Sequence, residues 1–206
     1  MFFQGRLLAV VFAYAILTLL QLQMLTIVKG EFPHMDQVFT ISGQLIICML
    51  GFVMLSTIVD IVDQNNRLKP IKLTLKVILL LAYMGIILYE TILFRPVYPY
   101  MQYELVPFWS YRLAYYGESY YISEILLNYL LYIPLGFLLK AVFWRLKWWQ
   151  CLLICLLSSC AIEVSQLVFR IGLFEWDDMI GNTLGGLIGF NIHVICNRVA
   201  RTFRKR

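Results

Sequence analysis

The chain has 206 residues, 61% of them apolar, and only 14% carry Asp, Glu, Lys or Arg. A soluble domain normally holds nearly twice that charged fraction, and the apolar residues here form blocks long enough to cross a bilayer as helices of about 20 residues. The length suits one compact membrane domain over residues 1–206 and leaves no room for a soluble catalytic module.

Taken in chain order, the hydropathy pattern predicts an all-α, polytopic transmembrane helical bundle of about six spans. The first runs Leu7–Val28 and the second Val38–Val62, both almost purely apolar, with Gln21, Gln23 and Gln44 as isolated interhelical hydrogen-bonding residues. The first is too long for a signal-peptide core and lacks a small-residue cleavage site, so it is expected to be retained. The third runs Ile71–Phe94, the fourth Tyr121–Phe143, the fifth Trp148–Phe169 and the sixth Met179–Cys196.

Orientation follows from the basic residues. With the N-terminus inside, the inner segments hold 12 Lys and Arg and the outer ones 4, namely Lys29, Arg95, Arg112 and Arg170. This asymmetry favours N-in, C-in. The net charge of +5 then reports topology and contact with anionic lipid, not nucleic acid. Cys48, Cys151, Cys155, Cys160 and Cys196 all fall within predicted spans, which argues against an extracytoplasmic disulfide. Cys151 and Cys155 share a helix face without an accompanying His, so they read as small buried hydrophobes and not as a zinc site. His193 reads as helix packing, and His34 as an outer-loop residue.

The segment 96–120 between the third and fourth spans is dense in Tyr, Trp and Pro. It reads as an interfacial aromatic belt or as a lid over a site. Pro96, Pro99 and Pro107 exclude a continuous helix there.

Ionisable and amide residues enter the later spans at helical spacing. Glu163, Gln166 and Arg170 share one face of the fifth span, with Glu163 about 10 Å below Arg170 at 1.5 Å per residue. Asp178 and Asn182 share a face of the sixth span, as Glu124 and Asn128 do in the fourth. Glu90, Thr91 and Arg95 close the third. All four groups fall in one outer layer. A charge at the centre of a span costs about 2.5–3.5 kcal/mol on insertion scales, so these groups face partners or a polar cavity. They form either an ion-pair network that locks the bundle or a ligand site. Gly181, Gly185 and Gly189 make a small-xxx-small ridge for close helix packing. Its expected partner is the fifth span, which follows a short loop and would set Asp178 and Asn182 against Gln166 and Glu163.

Three stretches carry a family resemblance: ELVPF at Glu104–Phe108, NYLLYIPLGFLL at Asn128–Leu139, and EVSQLVFRIGLFEWDDMIGNTLGGLIG at Glu163–Gly189. Over residues 80–190 the chain resembles the VanZ-like membrane protein family. That resemblance implies a multi-pass protein of the bacterial cytoplasmic membrane, associated with resistance to the glycopeptide antibiotic teicoplanin; the charge asymmetry puts its polar site toward the extracytoplasmic face.

Two mechanisms are open. A binding protein would use Arg95, Asn128, Gln166, Arg170 and Asn182 to hold a lipid-linked cell-wall precursor, a membrane lipid headgroup or the lipoglycopeptide. A membrane enzyme would use Glu163, Asp177 and Asp178 as catalytic groups, or as ligands for a divalent cation such as magnesium or calcium. A transporter has less support, because no inverted repeat is evident.

Overall fold

The computed structural model describes residues 69–93 and 95–204. The first two predicted spans, with Gln21, Gln23, His34, Gln44 and Cys48, lie outside the described residues. The chain divides into two units, 1–75 and 76–206, and everything below concerns the second apart from the start of its first helix.

Helix α1 covers Lys69–Leu88 and passes into a π-helical turn at Tyr89–Leu93. Strand β1 (Gln102–Glu104) and the short helix α2 (Trp109–Tyr115) follow, then α3 (Ser119–Val142) and α4 (Trp148–Phe169). Strand β2 (Leu173–Glu175) leads directly into α5 (Trp176–Arg204). Four of these helical stretches are long and apolar enough to cross a membrane: Leu73–Leu93, Ser119–Val142, Trp148–Phe169 and Trp176–Arg198. They correspond to the third to sixth predicted spans.

The fold is mostly helical, with one departure from an all-α bundle. β1 and β2 pair in parallel, with Gln102 opposite Leu173 and Glu104 opposite Glu175. The pair is parallel because α2, α3 and α4 intervene and return the chain in the same direction. It fastens the aromatic segment to the turn between α4 and α5. That segment is broken as its prolines require, and Gly117 at φ 99° makes the turn from α2 into α3, a conformation that residues with a Cβ avoid.

The core forms where α5 lies against α3. A Cβ on Gly185 would meet the Tyr129 carbonyl, one on Gly189 the Ile133 carbonyl, and one on Gly136 the Gly186 carbonyl. Gly181 stands over Asn128, whose Cβ is 3.2 Å from where its own would be. The glycine ridge therefore packs on α3 and not on α4, which corrects the expectation from loop length. The physical reason is that α3 supplies the matching groove: Gly136 removes a side chain just where Gly186 arrives. Only Gly186 also faces α4, through the Cys155 sulfur.

Cys151 and Cys155 are both fully buried and free, as small apolar fillers would be. His193 is buried with its ring edge-on to Phe137 at 4.8 Å. At the opposite end from the strands, the Lys140 ammonium donates to the carbonyls of Trp144 and Leu146, each at 2.7 Å, and so closes the α3–α4 turn.

Candidate functional site

The polar residues singled out from the sequence gather at the end of the bundle that carries the strand pair. Their partners are specific. Glu163 on α4 is 2% exposed, and its Oε2 accepts the backbone N–H of Glu175 at 3.1 Å. The carboxylate thus takes up one of the donors that a helix start leaves without an intrahelical partner. The α4–β2 turn is also tied to α1. Gln166 donates from Nε2 to the Thr91 carbonyl at 3.0 Å, meeting a backbone acceptor within the π-helical turn.

On α5, Asp178 accepts from the Asn128 amide of α3. Asn182, one turn deeper, donates to the Ser159 hydroxyl of α4 at 2.9 Å. The sequence pattern expected both to face Glu163 and Gln166. Asp178 hydrogen-bonds α3 yet stays within electrostatic reach of Glu163, and Asn182 does meet α4, but one turn below Glu163. Both differences follow from α5 packing on α3. The Asn182 Oδ1 and the Thr183 hydroxyl are buried with no hydrogen-bond partner among the described residues.

Asp177 has a different task. Its Oδ1 accepts from Phe108 N–H at 2.6 Å, and its Oδ2 accepts from Ser110 N–H at 2.9 Å and from the Ser110 hydroxyl at 2.6 Å. It is a capping carboxylate supplied from α5 to the N-terminus of α2, where it also complements the helix dipole. Phe108 holds a left-handed backbone at φ 60° as the chain enters that helix.

The arginines also have definite places. Arg170 ends α4 in a left-handed conformation, φ 57°, where glycine is the usual residue. Its carbonyl accepts from Tyr98 N–H at 2.7 Å, and its Nη1 donates to the Pro99 carbonyl at 3.2 Å. Arg170 thereby stitches the segment after α1 to the end of α4. Arg95 is exposed, and its charge acts electrostatically on Glu90, Glu124, Glu163 and Asp178.

Residues to which the sequence reading gave no role complete the arrangement. Trp109 donates from its indole to Glu175 at 3.2 Å, and Ser110 and Ser159 are bound as described. Burial pushes the Glu175 carboxyl up to about 8; the Asp178 charge adds to this and the Trp109 hydrogen bond opposes it. Tyr111 lies 3.3 Å, oxygen to oxygen, from Tyr129, and burial followed by that hydrogen bond raises its phenol. Ser159 could have been found, since it lies one turn before Glu163 on the same helix face. Nothing in the spacing marks Glu175 or Trp109.

Glu163, Asp177 and Asp178 do not converge as a metal site. Among the described residues no group of three or more His, Cys, Asp or Glu side chains could hold a metal ion. Asp177 has both carboxylate oxygens engaged by α2, and Glu163 turns one of its own to a backbone N–H.

The fold and the site together define a multi-pass membrane-helix protein with a buried polar cluster at one end of its bundle. The VanZ/LLP1 family model matches residues 7–197, and the chain belongs to that family. A 75-residue stretch, 36% of this chain, is 31% identical to Protein VanZ of Enterococcus faecium and spans 47% of that relative, about half its length. No solved structure matches the chain significantly.

Proposed function

We propose that this protein contributes to resistance against teicoplanin-type glycopeptides from the bacterial cytoplasmic membrane. On this reading it binds a lipid-linked cell-wall precursor, a lipid headgroup or the lipoglycopeptide in a polar pocket facing outward, with six spans and both termini inside. The observation that carries the reading is the convergence of Gln166, Glu163, Asn128, Asp178 and Asn182 from three apolar helices, with α1 joined to them through Thr91. Buried polar side chains within spans are expensive and mark ligand or substrate pathways by default.

Two neighbouring features suit an amphiphilic ligand. An apolar groove of about 230 Å³, lined by residues that include Met84, Ile92, Leu135 and Ile162, lies between α1, α3 and α4. The aromatic segment exposes Tyr100, Tyr115 and Tyr116 as well as Arg112, and rings of this kind settle at headgroup level. The test is binding of a lipid-linked wall precursor and of teicoplanin to the purified protein in nanodiscs. Glu163→Gln and Asp178→Asn should each weaken binding of one of the two about tenfold or more, the scale of one lost charge-assisted hydrogen bond. Unchanged affinity in both variants would contradict the reading.

A second reading, a carboxylate-dependent membrane enzyme acting on the same class of substrate, draws on the burial of Glu163 beside Glu175. It requires a new product in lipid extracts that disappears with Glu163→Gln.

A further inference from the structure

Charge is sharply divided along the bundle. The stretches 125–162 and 179–206 hold no Asp or Glu, so away from the strand pair α3, α4 and α5 offer no carboxylate to a cation. The turn between α3 and α4 nevertheless carries Lys140, Arg145 and Lys147 within eight residues. Lys140 is occupied by the turn itself, through the Trp144 and Leu146 carbonyls at 2.7 Å each. Arg145 and Lys147 are exposed, and neither side chain has a hydrogen-bond acceptor or an acidic partner among the described residues.

The turn is held in shape from both sides. Leu146 N–H donates to the Phe143 carbonyl at 2.9 Å, and Lys147 N–H donates to the Gln150 Oε1 at 2.9 Å. With the two Lys140 bonds these fix residues 143–147 against α3 and α4, and so fix what the turn presents. The Arg145 guanidinium lies over the Trp144 ring, 4.6 Å from its centroid. A guanidinium stacked in this way uses its flat face on the ring and keeps its edge of N–H donors for an acceptor. That edge matches phosphate bidentately.

The position of the turn decides which phosphate it meets. The α3 membrane-crossing stretch ends at Val142 and that of α4 begins at Trp148, so the turn stands where two helices leave the hydrocarbon. Trp144 is 72% exposed and Trp148 60%, and Phe143 and Trp149 are exposed as well. Tryptophans at a span end settle at headgroup level, where the abundant anionic acceptor is a lipid phosphate. Cations at that level draw anionic headgroups in preference to zwitterionic ones.

We propose that the α3–α4 turn binds the phosphate of one anionic phospholipid. Arg145, stacked on Trp144, grips the phosphate with its N–H edge, Lys147 adds charge, and the exposed Trp148 packs against the lipid below its headgroup. The site lies at the end of the bundle away from the strand pair and does not depend on the ligand reading of the polar layer. It differs from the diffuse attraction of a basic surface in having a fixed geometry and one lipid per chain.

The test uses the full chain in a nonionic detergent, titrated with phosphatidylglycerol, phosphatidylcholine or inorganic phosphate. Three of the chain's five tryptophans lie in or next to the turn, so their fluorescence reports binding, and native mass spectrometry counts the lipids retained. Phosphatidylglycerol should bind at one lipid per chain, about tenfold or more tightly than phosphatidylcholine. Arg145→Ala should weaken it about fivefold or more, the effect of one charge at a membrane surface. Arg145→Lys should weaken it as well, because an ammonium keeps the charge without the stacked fork. An Arg145→Lys variant that binds like the wild type overturns the built site and leaves only diffuse attraction. Inorganic phosphate that competes as well as the lipid overturns the assignment to a phospholipid. Equal binding of the two lipids by the unaltered protein overturns the proposal outright, and that comparison needs no variant to fold.

Discussion

The first two turns of α5 and the stretch just below them hold the same neighbours by opposite means. Asp177, Asp178 and Asn182 reach α2, α3 and α4 through directed hydrogen bonds. Gly185, Gly186 and Gly189 reach α3 and α4 by having no side chain at all, so that backbones and the Cys155 sulfur pack directly on the helix. The contrast teaches that the polar layer is positioned from below. With little hydrophobic drive between helices in lipid, close van der Waals packing sets the register. The register of the glycine seam then decides which acids face which amides.

The largest effect should come from breaking the seam. Gly189→Ala places a Cβ against the Ile133 carbonyl and Phe137 backbone nitrogen, where nothing can swing aside. Overpacking of this kind costs about 1–3 kcal/mol or more. We expect loss of the folded protein from detergent extracts, read by size-exclusion and thermal unfolding. Asp177→Ala should come next. It removes three hydrogen bonds at the start of α2, each to a charged acceptor and worth about 1.5–3 kcal/mol. Hydrogen exchange should rise at Phe108 and Ser110 while the α3–α5 seam keeps its protection. Equal loosening of both regions would show that they are not separate.

A third effect depends on pH. Glu175 is held up to about 8 from an ordinary value of 4.5, burial being the main cause. Between those values the folded protein carries a proton there that the unfolded chain has released. Stability should therefore be full below pH 4.5, fall as pH rises toward 8, and level off above it. Trp109, hydrogen-bonded to Glu175, should report the titration in its fluorescence. Glu175→Gln should flatten the profile. The smallest effect belongs to Gly85→Ala, where the added Cβ meets nothing within 4 Å. We expect unchanged or slightly higher stability by thermal unfolding, since alanine is the better helix former.

Much of the second unit was legible in the sequence. The fifth predicted span, Trp148–Phe169, has the bounds of α4. The sixth, read as Met179–Cys196, starts earlier and ends later in the structure, because α5 continues through polar Trp176–Asp178 and the basic end to Arg204. Hydropathy marks where a helix meets lipid, whereas helical hydrogen bonding runs on past that edge. The polar layer itself was readable because i, i+4 spacing fixes a helix face.

Its pairings were not readable. Sequence neighbours are often spatial neighbours, and that prior assigned the glycine ridge to α4. The better signal was on α3, where Gly136 leaves the matching groove for Gly186. The parallel strands escaped notice because three residues carry no usable alternation. Asp177 looked like a catalytic carboxylate because nothing in the sequence shows a helix start 69 residues earlier presenting its N–H groups.

The central claim is that the polar layer, and not the bundle alone, does the protein's work. Its most direct test is teicoplanin susceptibility of cells producing the wild-type protein, Glu163→Gln, Asp178→Asn or Gly85→Ala at equal membrane abundance. The account predicts that the two polar-layer variants lose resistance and that Gly85→Ala keeps it. Full resistance in both polar-layer variants would contradict it.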